Sequence, residues 1–137
     1  MLKQTHMTAT GQSIANYVVE RDNVADIEKQ IENYCLMLCE ALHQDFCKRH
    51  SRNGDTKCFD LDSSGRKYHK IWDVDKGYNG ESRSCHAFID KKTGEVYKPA
   101  SYKAPAKNVR FNLLMENSRE FLFEHCDWAG SYLYMRG

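Results

Sequence analysis

Apolar residues return every three or four positions along one stretch in the first half of the chain, and this pattern constrains the fold most. The stripe consists of Val24, Ile27, Ile31, Tyr34, Leu38, Leu42 and Phe46. This spacing is typical of an amphipathic helix that packs one face against a core. Asp22 or Asn23 can cap its start, and the run Ser51-Arg52-Asn53-Gly54-Asp55 can end it. We therefore expect a long helix from residue 22 to about residue 50.

After this helix the pattern changes to the alternation that is typical of β-strands. Strands are predicted at 57–62, 66–74, 84–89 and 95–98, with a polar, glycine-containing loop at 75–82. Gly94 can supply the left-handed residue that the turn between the last two of these strands needs. The sequence therefore predicts two hairpins, of which the second has the clearer signal.

The last third of the chain combines a proline-rich loop with further short elements. Pro99 and Pro105 bracket a loop, because proline cannot donate to a central strand ladder. A strand at 109–114, a helix from Asn117 or Ser118 to Trp128 with Glu120 in a capping box, and a strand at 131–135 are predicted to follow. The fold class is α+β: an antiparallel sheet of about five strands, with a long N-terminal and a short C-terminal helix packed on one face.

Length and charge limit the classes of protein that fit. A chain of 137 residues is predicted to form a single domain over residues 1–137, with residues 1–11 loosely ordered. Twenty basic residues against nineteen acidic ones argue against a generally basic nucleic-acid-binding coat. The start of the chain lacks the apolar core of a signal peptide, and no run reaches the roughly 18 apolar residues of a membrane helix. We expect a cytoplasmic protein without a membrane partner.

One basic segment stands out against this balanced charge. No acidic residue occurs between Val96 and Met115, and aromatic rings alternate there with cations, as a nucleotide base and its phosphates require. The candidate ligand-binding residues are Tyr97, Lys98, Tyr102, Lys103, Lys107, Arg110 and Asn112. Strand alternation predicts that Arg110 and Asn112 point away from the core, and that Val109, Phe111 and Leu113 point into it. An edge strand protected by lysines would carry the same residues, so both interpretations stay open.

Cysteines and histidines recur every four residues along the predicted long helix. Within the series Cys35, Cys39, His43, Cys47, only neighbours can share a ligand, because the full series is about 18 Å long. The candidate zinc ligands are His43, Cys47, His50 and Cys58, with Cys85 or His86 as other choices for the fourth ligand. Their spacing matches no common zinc signature, so buried, reduced thiols are the favoured interpretation. No complete catalytic motif occurs in the sequence, which favours a non-enzymatic protein.

Part of the chain resembles a known group of proteins. The residues that carry the resemblance are 85–101, 103–107, 110–112 and 127–134, which include the runs Cys85-His86-Ala87-Phe88-Ile89-Asp90 and Asp127-Trp128-Ala129-Gly130. These runs are similar to small uncharacterised accessory proteins of tailed phages. The similarity covers about the last fifty residues and implies a protein of the host cytoplasm. It carries no established activity.

Two functions follow as hypotheses. The first is a phage-type, non-enzymatic, homo-oligomeric anti-defence protein that sequesters a phosphate-bearing nucleotide signal. It rests on the basic aromatic segment together with the resemblance to phage proteins. The second is an interaction protein that binds a host protein or nucleic acid and is stabilised by zinc.

Overall fold

The computed structural model describes residues 14–50, 56–77 and 80–135, with side chains from Asn23 onward. In chain order the elements are α1 (Ile14–Arg49), β1 (Lys57–Asp62), β2 (Tyr68–Gly77), β3 (Gly80–Asp90), β4 (Glu95–Pro99), β5 (Pro105–Asn112), α2 (Glu116–His125) and the 3-10 helix Ser131–Tyr134. The strands form one antiparallel sheet in the order β1-β2-β3-β4-β5. The predicted α+β class is therefore confirmed. The expectations for residues 1–11 and for a helix end at 51–55 fall outside the described residues.

Helix α1 is longer than its sequence pattern indicates. It begins at Ile14, so the predicted start and cap at Asp22 or Asn23 are wrong. Asn23 is an exposed residue inside the helix, where water can satisfy its side chain without interrupting the backbone. A good capping residue is therefore not sufficient to locate a helix start.

The buried face of α1 also differs from the predicted stripe. Val24 and Ile27 are 52% and 40% exposed, which corrects their assignment to the core. The side chains that the sheet covers begin at Ile31 and are Ile31, Cys35, Leu38, Cys39, Leu42 and Phe46. Burial raises the pKa of Cys39 to about 12, so this thiol stays protonated. The predicted burial of thiols is thus confirmed for the two core cysteines of α1.

The hairpin between β2 and β3 replaces the loop predicted at 75–82. Strand β2 continues to Gly77 and β3 begins at Gly80, with Asp75 paired to Ser82 and Lys76 to Glu81. These residues are exposed, because this end of the hairpin extends beyond the core. A strand with two solvated faces carries the same polar residues as a loop, which explains the incorrect prediction.

The turn between β3 and β4 follows its sequence signal. Gly94 has a φ of 76°, the left-handed conformation predicted for it. The carboxylate of Asp90 accepts hydrogen bonds from the amides of Lys92 and Thr93 at 2.8 and 3.0 Å. These bonds satisfy the amides of the turn and fix the register of the two strands.

The elements near the C-terminus differ more from the predictions. Strand β5 covers Pro105–Asn112 rather than 109–114, and α2 ends at His125 rather than Trp128. The capping box is absent from α2: its N-cap is Met115, which makes no side-chain hydrogen bond there. The predicted strand at 131–135 is instead the 3-10 helix, because its residues pack onto the core as single side chains rather than pairing with a strand.

One core lies between the sheet and the helices. The strands contribute Phe59, Ile71, Ala87, Ile89, Val96 and Phe111 to it, α2 contributes Leu122, and the 3-10 helix contributes Tyr132 and Leu133. We call the side of the sheet that meets α1 the inner face and the opposite side the outer face. No helix within the described residues is long and apolar enough to cross a membrane.

Candidate functional site

Aromatic and cationic side chains gather on the outer face of the sheet. His69, Ile71, Ala87, Ile89 and Val96 are buried, so alternation turns their neighbours outward. We call the resulting group the outer cluster; it consists of Tyr68, Lys70 and Trp72 of β2, Arg83 and Phe88 of β3, and Tyr97 of β4. Three adjacent strands therefore build one continuous surface.

The rings of the outer cluster pack edge to face. The centroid of Tyr68 lies 5.6 Å from that of Phe88 and 5.9 Å from that of Tyr97, at interplanar angles of 84° and 82°. Phe88 is only 1% exposed, although it lies outside the main core. The Trp72 indole donates a hydrogen bond to the carboxylate of Asp62 at 3.1 Å. These contacts hold the rings in fixed positions.

The cations of the outer cluster lie over these rings. The Lys70 ammonium is 5.4 Å from the ring centroids of both Trp72 and Phe88. The Arg83 guanidinium carbon is 5.7 Å from the Trp72 ring. Such cation–π contacts contribute about 0.5–1 kcal/mol each at exposed sites, and they restrict where the charge can move.

The turn at residues 100–104, between β4 and β5, leans over this surface. The amides of Ala100 and Ser101 both donate to the carbonyl of Ala104, at 3.0 and 3.1 Å. The Lys70 ammonium donates to the carbonyl of Tyr102 at 2.6 Å. Since β3 lies between β2 and β4, this contact requires the turn to lie across β3. The Tyr102 ring is 60% exposed.

Four of the predicted ligand residues adjoin the outer cluster. Tyr97 belongs to it, and its hydroxyl donates to Glu95 at 3.0 Å; burial and this bond raise the pKa of Tyr97 to about 12. Tyr102 and Lys103 belong to the turn, with the Lys103 ammonium 5.6 Å from the Tyr102 ring. Arg110 is the additional residue of β5 between Val109 and Phe111, which pair with Tyr97 and Val96, so alternation does not assign its side chain to one face. Its Nε is buried and has no hydrogen-bond partner among the described residues.

The remaining predicted ligand residues do not converge with these four. Lys98 lies on the inner face, where its ammonium is 5.0 Å from the Tyr134 ring. Lys107 is exposed on β5. The Asn112 side-chain oxygen accepts a hydrogen bond from the backbone N–H of Leu114 at 2.8 Å, and the backbone N–H of Asn112 donates to the Ser118 hydroxyl, so Asn112 organises the turn into α2.

The prediction that Val109 of β5 points into the core is wrong. An irregularity between Val96 and Tyr97 pairs Tyr97 with Val109, and Val109 is 41% exposed. Phe111 and Leu113 are buried, as predicted. A bulge changes which face a residue occupies, and β5 carries no glycine or other local signal for one.

The sequence interpretation missed the site residues of β2, and also Arg83 and Phe88 of β3. Tyr68, Lys70 and Trp72 occur at alternate positions, which is the pattern of one strand face. Their relation to the basic segment depends on the pairing of β2, β3 and β4, which is not local in sequence. Alternation could have grouped these three residues, but it could not have placed them beside Tyr97 and Tyr102.

Charge around the site is only partly balanced. Arg83 pairs with Asp60 and Glu81, at 3.8 and 3.2 Å. Hydrogen bonds from Ser64 and Trp72 lower the pKa of Asp62 to about 2, so that group is an anion at neutral pH. In contrast, Lys70, Lys103 and Arg110 form no salt bridge with any residue that the structure describes. A negative ligand group therefore has free cations to bind.

The predicted zinc ligands do not form one site. His43 Nε2 and Cys47 Sγ lie 3.5 Å apart, but the His50 ring stacks on Phe46 at 4.5 Å. Cys58 precedes the inward-facing Phe59 and lies on the outer face, where its thiol donates to Asp60. The sheet thus separates Cys58 from α1. Within the described residues, no three His, Cys, Asp or Glu side chains are grouped to hold a metal ion.

Comparison with known proteins gives one match. Residues 14–135 match the model of a family of unknown function, DUF7717. No curated protein and no solved structure matches the chain. The match covers every helix and strand of the fold and therefore the whole outer cluster.

Proposed function

The chain belongs to the DUF7717 family, and we propose that it binds a phosphate-bearing nucleotide, without turning it over, on the outer face of its sheet. One observation carries the proposal. Two cations that form no salt bridge in the described part of the chain, Lys70 and Lys103, lie beside the exposed ring of Tyr102, and Arg110 lies on β5 next to Val109, the partner of Tyr97. Charge and an aromatic surface together suit a nucleotide better than either a simple anion or an apolar ligand.

The phosphate would bind to the cations. The Lys70 ammonium has three N–H donors. One donates a hydrogen bond to the Tyr102 carbonyl, which leaves two for phosphate oxygens. Arg110 is the third cation; because its Nε is buried, its terminal N–H groups would bind the phosphate oxygens. Charge-assisted bonds of this kind are about twice as strong as neutral ones.

The base would stack on Tyr102. This ring is 60% exposed on the outer face, beside Lys70, and the Lys103 ammonium lies 5.6 Å from its centroid. Stacking of a base on an aromatic side chain contributes about 1–3 kcal/mol. Trp72 is partly covered by Lys70 and Arg83, so it would report binding by its fluorescence rather than supply the main stacking surface.

Calorimetry against a panel of mononucleotides and cyclic dinucleotides tests the proposal. Lys70→Met should weaken the tightest member at least about tenfold, because it removes a charge-assisted bond. Lys92→Met is the matched control, since Lys92 is exposed at the turn between β3 and β4. A panel in which no member binds, or equal affinities for the two variants, would contradict the proposal.

Fluorescence adds a second readout of where the ligand binds. The other tryptophan, Trp128, packs edge-on against Phe46 on the inner face, at 5.1 Å. The nucleotide should therefore change the emission of the wild-type protein, and Trp72→Phe should abolish that change while calorimetry still detects binding. A change that persists in Trp72→Phe would place the ligand away from the outer cluster.

The resemblance of the last fifty residues to phage accessory proteins suggests a biological role for such binding. A phage protein that holds a nucleotide signal of the host would lower its free concentration without a chemical step. Incubation of protein and nucleotide, followed by heat denaturation and mass spectrometry, distinguishes the two modes. Recovery of intact nucleotide supports sequestration, and a chemically altered product indicates an enzyme.

A single-stranded nucleic acid could use the same rings and cations. Salt dependence separates it from a mononucleotide, because three phosphate contacts on a single strand give a log–log slope of roughly −2. A steep slope, with affinity that grows with oligonucleotide length, would favour the polynucleotide. Affinity that is already complete with one nucleotide would favour the small ligand.

A further inference from the structure

A cavity of about 190 Å³ lies on the inner face, on the opposite side of the sheet from the outer cluster. Strands β2, β3 and β4 and the segment around the 3-10 helix enclose it. The polar residues in its lining include Asp73, Ser84, His86, Lys98 and Tyr134. The sequence predicted Lys98 as a ligand-binding residue and His86 as an alternative zinc ligand, and the fold brings both to this cavity.

A β-bulge directs His86 into this region. Ile71 pairs with Ala87 and Trp72 pairs with Cys85, so His86 is the additional residue on β3. Strict alternation from the buried Ala87 would turn His86 outward, but the bulge allows it to face inward. There its ring meets the edge of Phe59 at 5.4 Å and lies 5.6 Å from the ring of Tyr132.

The partner of His86 fixes where its proton lies. The Tyr132 hydroxyl is 2.8 Å from His86 Nε2, and Tyr132 is 1% exposed. Burial raises the pKa of Tyr132 and lowers the pKa of His86 to about 4, so both groups are neutral at pH 7. A buried phenol hydroxyl needs an acceptor, and Nε2 is the one it has among the described residues. His86 therefore carries its proton on Nδ1.

The Nδ1 edge of His86 lines the cavity. Nδ1 and Cε1 lie beside Gly130, at 3.9 and 3.5 Å from the position that a Cβ there would occupy. Gly130 adopts a φ of 86° and is itself part of the lining. The structure gives Nδ1 no hydrogen-bond partner within the described residues. A donor thus points into the cavity.

Lys98 adds a positive charge to the same cavity. Its ammonium lies over the Tyr134 ring and forms no salt bridge with any described residue. The carboxylate of Asp73 also lines the cavity, but it pairs with the buried Lys57 at 2.7 Å, which Asp75 shares at 3.7 Å, and it forms no salt bridge with Lys98. The Lys98 ammonium and His86 Nδ1–H are therefore both free to bind an acceptor.

We propose that this cavity is a second ligand site, which binds a small oxyanion, a carboxylate or a phosphate group, between Lys98 and His86 Nδ1–H. The hydroxyl of Ser84, an exposed residue at the edge of the cavity, is a third donor. The volume suits an ion or a small organic acid, since about 150 Å³ holds a molecule as large as benzene. This site is independent of nucleotide binding on the outer face.

Long-range ¹H–¹⁵N NMR of the histidine rings, with inorganic phosphate and with acetate as probes, tests the site. The spectrum of the free protein should show His86 protonated on Nδ1. Its Nδ1 resonance should shift in a saturable manner with phosphate, acetate or both, and the comparison tells which oxyanion is preferred. The buried His69, whose Nδ1 bonds to Ser63 at 2.7 Å, is the internal control and should not shift.

Two charge-neutralising variants complete the test. Lys98→Gln should raise the apparent Kd that is measured from the His86 shift at least about tenfold, because it removes the charged donor. Lys92→Gln removes the same charge from an exposed turn and should change nothing. Protonation of His86 on Nε2 would overturn the proposal. So would a His86 Nδ1 resonance that neither probe shifts at about 50 times the concentration of protein.

Discussion

The two faces of the sheet contain the same kinds of side chain in opposite environments. On the inner face, His86 and Tyr132 are buried and satisfy each other through one hydrogen bond. On the outer face, Lys70 bonds to the backbone of Tyr102, and the Tyr102 ring remains exposed. A buried polar group must have its partner within the protein, whereas an exposed one can exchange water for a ligand. Substitutions of side chains that are buried on the inner face should therefore change stability, and substitutions of exposed side chains on the outer face should change binding.

The largest expected effect tests which side of α1 supports the core. Leu42 is fully buried, so Leu42→Ala should lower the free energy of unfolding by about 2–5 kcal/mol. Val24 is 52% exposed, and Val24→Ala should stay within about 0.5 kcal/mol of the wild type. Urea unfolding of both variants measures the difference. Comparable losses would mean that the sheet-facing side of α1 is not its main contact.

The pH dependence of stability should come from the inner face. Burial lowers the pKa of His86 to about 4 from the ordinary 6.5 of a histidine, although Asp127 opposes the shift. The unfolded chain therefore binds the proton more readily, and stability falls as the pH drops from 6.5 through 4. A shift of this size corresponds to on the order of 3 kcal/mol. Urea midpoints across this range measure the loss.

His69 offers a control for the pH experiment. Burial also lowers its pKa, with Lys91 adding to the effect, so His69→Gln should remove only part of the slope. Most of the part that remains belongs to His86, because Asp62, whose pKa is lowered to about 2, adds a loss of the same sign only near pH 4. Stability that is flat between pH 6.5 and 4 in the wild-type protein would contradict the buried, neutral state of His86.

Local patterns predicted the fold where a residue's environment follows from its immediate neighbours. Gly94 is an example, because a left-handed turn between two strand patterns requires such a residue. Polar strands that extend beyond the core gave no such signal, which is why Asp75 and Ser82 looked like loop residues. The run Ser131–Tyr134 has an aromatic pattern typical of a strand, but it packs as a 3-10 helix. Its burial depends on contacts with distant β3, which the sequence does not reveal.

The candidate site was predictable only in part for the same reason. The basic segment pointed to Tyr102, Lys103 and Arg110, which the fold does place beside the outer cluster. It also included Lys98, which alternation along β4 assigns to the opposite face from Tyr97. Lys70 is far from Tyr102 in sequence, and it contacts the Tyr102 carbonyl only because the turn at 100–104 lies across β3. Composition therefore indicated a concentration of cations and aromatic rings, and strand pairing decided which of these residues lie together.

The smallest of the predicted stability effects compares one tyrosine hydroxyl on each face. Tyr132→Phe removes the donor to His86 Nε2 and leaves a buried acceptor unsatisfied, so it should cost about 1–3 kcal/mol. Tyr97→Phe removes the bond to Glu95, but water can reach that carboxylate, and the loss should stay below about 1 kcal/mol. Urea unfolding at pH 7 measures both losses.

NMR of His86 in Tyr132→Phe supplies a second readout, because the hydroxyl that donates to Nε2, and so keeps the proton on Nδ1, is then absent. Equal losses of unfolding free energy in the two variants, with the His86 tautomer unchanged, would contradict this difference between the two faces.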